Sequence, residues 1–215
     1  AVRAIVVVWQ VDASDPASAS ITERRAPVTS ITANPVDPTN ATGASFSFNS
    51  NEAGSTFEVR LDGGAWSGST SPKTYSGLTE GTHTFEVRAT DPATNTDATP
   101  ASYTWVVDTT APNTTIATNP ADPSSDTTPG FTFTSTETPA TFQCNLDGTG
   151  WSTCSTPLTV PPALADGSHT LQVRSTDAAG NQDGSAASYT WTVDTVNPTG
   201  AVTAPAAAAA VSGAA

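Results

Sequence analysis

The sequence predicts an all-β chain: two small two-layered sandwiches in tandem, each of about seven strands. Three observations carry this. One phrase occurs twice, Phe57-Glu-Val-Arg-Leu-Asp-Gly-Gly-Ala-Trp66 and Phe142-Gln-Cys-Asn-Leu-Asp-Gly-Thr-Gly-Trp151, 85 positions apart. In each copy the Asp-Gly pair supplies the positive φ angles of a tight turn between two strands. Around them lie short runs of alternating polarity separated by proline- and glycine-rich turns, with no helical periodicity between caps.

Residues 1–12 begin with Ala-Val-Arg-Ala-Ile-Val-Val-Val-Trp-Gln-Val, a strand by β-branched content and apolar on both faces. Its ending, Trp9-Gln-Val-Asp12, matches Trp105-Val-Val-Asp108 and Trp191-Thr-Val-Asp194. It therefore reads as the last strand of a preceding module, or as a donor strand inserting into a neighbouring subunit. Residues 13–26, polar with Pro16 and Arg24-Arg25, form a linker. Trp9 and Trp105 are 96 positions apart, against 86 for Trp105 and Trp191, so about ten residues are extra here.

The first module spans 27–108 and the second 112–194. Their register holds throughout: Asn34-Pro35 with Asn119-Pro120, Phe46-Ser-Phe48 with Phe131-Thr-Phe133, His83 with His169, Asp91 with Asp177. In the second module strands are expected near 114–118, 130–135, 140–147, 151–154, 157–160, 168–176 and 187–194. Residues 197–215 copy the opening of the second module and then trail off, as the start of an incomplete third. The expected core aromatics are Trp9, Phe46, Phe48, Trp105, Phe131, Phe133, Trp151 and Trp191.

Of 215 residues, 7 are Lys or Arg and 20 are Asp or Glu, a net charge of −13. Phosphate backbones would be repelled, which argues against nucleic acid. No run approaches the ~18 apolar residues that span a bilayer. Methionine is absent, so a processed product or a piece of a longer chain is expected. Cys144 and Cys154 face each other across the predicted hairpin; a disulfide, and with it export from the cell, is the preferred reading over two buried thiols.

Taken together, Asp-Thr-Thr-Ala-Pro112, Thr-Pro-Gly-Phe-Thr-Phe133, Phe-Gln-Cys-Asn-Leu-Asp-Gly148, Trp-Ser-Thr-Cys154, Asp-Gly-Ser-His-Thr170, Asp-Ala-Ala-Gly-Asn181 and Tyr-Thr-Trp-Thr-Val-Asp194 resemble bacterial Ig-like repeats. The resemblance covers residues 27–198. It implies tandem Ig-like or fibronectin-like sandwiches in a large secreted or cell-surface protein, doing the work of a stalk, spacer, adhesin or fibre. Module one departs from the pattern, with Val59 and Ser69 where module two has Cys144 and Cys154.

No catalytic set is evident, and no enzyme is expected. His83 and His169 recur without a nucleophile and read as strand-start residues bonding to a turn. Trp66 and Trp151 are alternatively sugar-stacking faces. The sharper candidates are acidic loops. Asp108, Glu137, Asp177, Asn181 and Asp183 in the second module, and Asp12, Glu52, Asp91, Asn95 and Asp97 in the first, offer oxygen ligands of the kind Ca2+ takes. Ordinary turn chemistry is the competing reading. The expected partners are neighbouring copies of the chain, in a filament or by strand exchange, with a glycan or host surface as the alternative. The expected location is extracellular or on the cell surface.

Overall fold

A computed structural model describes residues 25–200. The first seven strands are β1 (Thr29–Ala33), β2 (Ala44–Ser50), β3 (Thr56–Leu61), β4 (Ser67–Ser69), β5 (Lys73–Tyr75), β6 (Gly81–Thr90) and β7 (Ala101–Val107). They form a three-stranded sheet, β1-β2-β5, and a four-stranded sheet, β4-β3-β6-β7. The next seven are β8 (Thr114–Thr118), β9 (Gly130–Ser135), β10 (Thr141–Leu146), β11 (Ser152–Cys154), β12 (Leu158–Thr159), β13 (Gly167–Thr176) and β14 (Ala187–Val193). Their sheets are β12-β9-β8 and β11-β10-β13-β14, the same order again. No helix is long and apolar enough to cross a membrane among the described residues. Residues 1–12, including Trp9 and Asp12, and most of 13–26 and 197–215 lie outside the described residues.

The chain divides into two compact units. The described residues up to Thr114 belong with Ser135–Phe142 and Arg174–Ala186; Thr115–Thr134, Gln143–Val173 and the described residues from Ala187 onward form the other.

The strands follow from period-two alternation. In β6, His83, Phe85, Val87 and Ala89 are buried while the residues between them are half-exposed. Phe46 stacks on Phe85 with ring centroids 4.1 Å apart, and Trp105 meets Phe46 at 5.1 Å. In the second sandwich Phe131, Phe133, Leu171, Val173, Trp191 and Val193 are buried at the matching places. Asp62 and Gly63 have φ of 51° and 69°, Asp147 and Gly148 of 51° and 71°. Two successive positive φ values define the type I′ hairpin turn that the Asp-Gly pairs announce. Trp151, expected in the core, is only half-buried. It follows the turn directly, ahead of β11.

An exposed edge strand invites unwanted pairing, and β7 and β14 are protected by the same device. Thr39 bridges Val107 in parallel, and Ser124 bridges Val193. Beside these bridges the Asp37 carboxylate accepts the Val106 N–H, and Asp122 accepts that of Thr192, both at 2.9 Å. Tyr103 and Tyr189 donate their hydroxyls back to the carbonyls of Pro35 and Pro120.

Cys144 and Cys154 are bridged, joining β10 to β11. The first sandwich has Val59, 1% exposed, where Cys144 stands, and the larger Phe85 where the second has Leu171. Packing holds its hairpin instead. Replacing both cysteines with serine should lower the stability of the second sandwich by about 2–3 kcal/mol, the effect of opening a loop of this length. Denaturant melts of the full chain should show that loss in one transition and leave the other in place.

A candidate functional site in the acidic loops

Both histidines sit at the start of a long strand and are clamped. His83 Nδ1 lies 2.8 Å from Asp62 Oδ2 and Nε2 lies 2.8 Å from the Thr79 carbonyl. His169 repeats this with Asp147 at 2.7 Å and the Ala165 carbonyl at 2.9 Å. An acceptor faces each ring nitrogen, an arrangement that favours the doubly protonated imidazolium. The Thr79 carbonyl and then Asp62 raise the His83 pKa above its ordinary value; for His169 the order is Asp147, then the Ala165 carbonyl. Burial pushes the Asp147 carboxyl up, but hydrogen bonds from His169 and the Thr170 amide outweigh it and hold it low. Each clamp ties the hairpin turn to the loop before the next strand, beneath the tryptophan ring 5.6 or 5.8 Å away.

The acidic residues sort into two groups. Asp97 and Asp183 are buried and turned onto their own backbone. Asp183 Oδ2 accepts the Thr114 N–H at 2.8 Å, and Oδ1 accepts the N–H and hydroxyl of Ser185. Asp97 does the same with Thr29 and Thr99. Burial pushes both carboxyls up, and these donors bring them below the usual range.

The structure brings together Asp108, Glu137 and Asp177, each half-buried and each with a carboxylate oxygen within 4.8 Å of the others. All three belong to the first compact unit. Asp177 closes a turn: its Oδ1 accepts the N–H groups of Gly180 and Asn181, and its Oδ2 accepts the Asn181 side-chain amide at 2.9 Å. Asn181 Nδ2 also donates to the Asp108 carbonyl at 2.8 Å. Ser135 Oγ accepts the Glu137 N–H. Desolvation, and then the charges of Asp108 and Asp177, push the Glu137 carboxyl up, whereas hydrogen bonds to Asn181 and its turn overcome burial and hold Asp177 down. Three carboxylates this close are the residues that would hold a hard cation, supplying part of the six to eight oxygens of a calcium shell. In the first sandwich Asp91 closes the same turn on Asn95, at 2.8 and 2.7 Å, and Glu52 is bonded through its N–H to Ser50.

Two features escape sequence reasoning. The guanidinium carbons of Arg60 and Arg88 lie 4.6 and 4.3 Å from the Trp66 ring centroid. Those cations pair with Glu86 and Glu58 across β3 and β6, so the ring offered above as a sugar platform is already engaged by cations. The register of the two strands is the signal that would have found this. The other feature is Glu80, whose carboxylate accepts the hydroxyls of Thr109 and Thr110 at 2.8 and 2.7 Å.

The sequence profile described as "Bacterial Ig-like domain" matches residues 120–195. Over those residues the second sandwich is similar to bacterial Ig-like domains. No curated protein matches the chain. Among solved structures, this chain is similar to the fibronectin(III)-like modules of CbhA from Clostridium thermocellum, at 15% identity and a TM-score of 0.46, over 77% of this chain and 94% of that one. A structure concerning host cell surface retention of a 1.5-MDa bacterial ice-binding adhesin is also similar: 15% identity, TM-score 0.42, 79% of this chain and 65% of that one. The BSP domain of a biofilm associated protein follows at 21% identity and a TM-score of 0.29, over 80% of this chain and 30% of that one.

Two outcomes are expected here. A histidine whose folded pKa is raised contributes stability that is full below its unfolded pKa and is lost as pH rises through the folded value. Melting temperature should therefore fall between about pH 6.5 and the alkaline side of neutrality, and His83→Gln with His169→Gln should flatten that slope. Glu137 is also raised, so its carboxylate opposes folding at neutral pH. Glu137→Gln should raise the melting temperature in chelator-treated buffer at pH 7, with the gain shrinking as pH falls through the Glu137 pKa.

Proposed function

We propose that this chain is a structural, non-enzymatic segment of an extracellular or cell-surface bacterial protein, in which Ig-like sandwiches in series act as a stalk or spacer. The observation that carries the reading is the fastened linker. Asp108 donates its N–H to the Thr39 carbonyl and accepts the Thr110 N–H on its carboxylate. Its own carbonyl takes the Asn181 amide, and Thr109 and Thr110 bond to Glu80. A linker held at successive residues transmits load and orientation, whereas a free one would only tether. The disulfide fits an oxidising location.

Polymerisation through residues 1–11, paired with a neighbouring copy, is the assembly this reading favours. NMR relaxation on the full chain should give one common tumbling time for both sandwiches. Asn181→Ala combined with Glu80→Ala should separate the two. Independent tumbling of the unsubstituted chain would remove the stalk reading. Deleting residues 1–11 should abolish assembly with both sandwiches folded, and normal assembly of that truncation would overturn strand exchange.

A further inference from the structure

We propose that the second sandwich holds a binding cavity for a small neutral aromatic molecule of the phenol class, in the space that corresponds to two of the first sandwich's own rings. The proposal concerns one sandwich and stands independently of the serial reading above.

The shared strand plan makes the two interiors comparable position by position. Phe46 pairs with Lys73 across β2 and β5, and Phe131 with Leu158 across β9 and β12, so Tyr75 corresponds to Val160. His83 and His169 occupy the same place in β6 and β13, so Phe85 corresponds to Leu171. In the first sandwich both positions are rings. Tyr75 meets Phe46 and Phe85 edge-on, with centroids 6.5 and 6.1 Å away, and Phe46 stacks on Phe85. The second sandwich keeps the phenylalanine of β9 but has valine and leucine at the other two places, and Cys144 in place of Val59.

A cavity of about 450 Å³ lies against these positions. Val160, Leu171 and Cys144 form its buried floor, and the half-buried Leu146, Leu158 and Cys154 its walls. Its size and apolar lining are those of small-molecule sites, which carry only a few polar groups. Exposed Ser152 and Ser155 also line it, and their hydroxyls are available to one on a ligand. Lining atoms without packing partners lose dispersion contacts that an inserted ring restores. Charge selects against an anion: the described residues of this unit include Asp122, Asp126, Asp147, Asp166 and Asp194 but no lysine or arginine. A cation would lose its water against an apolar floor. A neutral ring with a hydroxyl at its edge fits both conditions, and that is the side chain Tyr75 supplies to the first sandwich.

The probe is p-cresol, the tyrosine side chain as a free molecule, titrated into the full chain and followed by NMR. Saturable shifts should appear at Val160 and Leu171 and not at Tyr75 or Phe85. Intermolecular NOEs should join the cresol ring to the methyl groups of Leu158, Val160 and Leu171. Leu171→Phe, which restores the first sandwich's residue, should weaken binding by at least about tenfold. The anion p-toluate, with a carboxylate in place of the hydroxyl, should bind more weakly than p-cresol by a similar factor. No saturable shift up to about 20 mM p-cresol, a range in which a ligand this small should occupy a formed site, would overturn the proposal. So would equal shifts in the two sandwiches, p-toluate bound as tightly as p-cresol, or a folded Leu171→Phe variant that binds unchanged. The NOEs are read on the unsubstituted chain, so they decide the matter even where Leu171→Phe does not fold: their absence sinks the proposal. None of these results bears on the serial reading.

Discussion

Trp105 and Trp191 are the buried plugs on which the rest of each sandwich is arranged. Both are fully excluded from solvent. An indole buries a large apolar area, and here that gain prevails although neither indole nitrogen has a hydrogen-bond partner among the described residues. Each ring packs against a phenylalanine of the facing sheet and a tyrosine of its own strand, with the clamped histidine behind it. Because the plug lies three residues before the chain leaves the sandwich, it fixes where Asp108 and Asp194 emerge. The strand end is thus positioned by the core, and the loops act on a chain whose direction is already set.

Polar fastening follows the same pattern in both halves. A buried carboxylate, Asp97 or Asp183, takes up the N–H at the start of the first strand, so a backbone group that would otherwise be orphaned inside is satisfied. A histidine ring, His83 or His169, ties the hairpin turn to the next loop. An exposed carboxylate, Glu80 or Asp166, takes the hydroxyls or amide of the residues that follow the last strand. The halves differ mainly in how they hold the hairpin. Aromatic bulk and an arginine-glutamate lattice serve the first; a disulfide and uncharged amides such as Asn145 and Gln172 serve the second.

The acidic loops obey different physics. Asp108, Glu137 and Asp177 are drawn together by backbone hydrogen bonds that place their turns, at the expense of repulsion among their charges. Their proximity is a consequence of how the linker is seized by Asn181.

Periodicity and turn chemistry made the strands legible from sequence alone. Alternating side chains determine which face is buried, and Asp-Gly can hardly be anything but a hairpin turn, so β8 to β14 lie within a residue or two of where the pattern places them. The repeat, the seven-strand plan and the cysteine pairing are of this local kind. What convergence in space decides was not legible. Asp183, grouped with the other acids by spacing, is buried away on Thr114, and Trp151 stands half-exposed. Trp66 is covered by arginines from two other strands. Asn181 reaches Asp108 across 73 positions of sequence. Sequence alone determined the elements, because each depends on neighbours a few residues away. Only the tertiary structure decided which carboxylates meet, because that depends on how separate loops are carried to one end of a sandwich by its core.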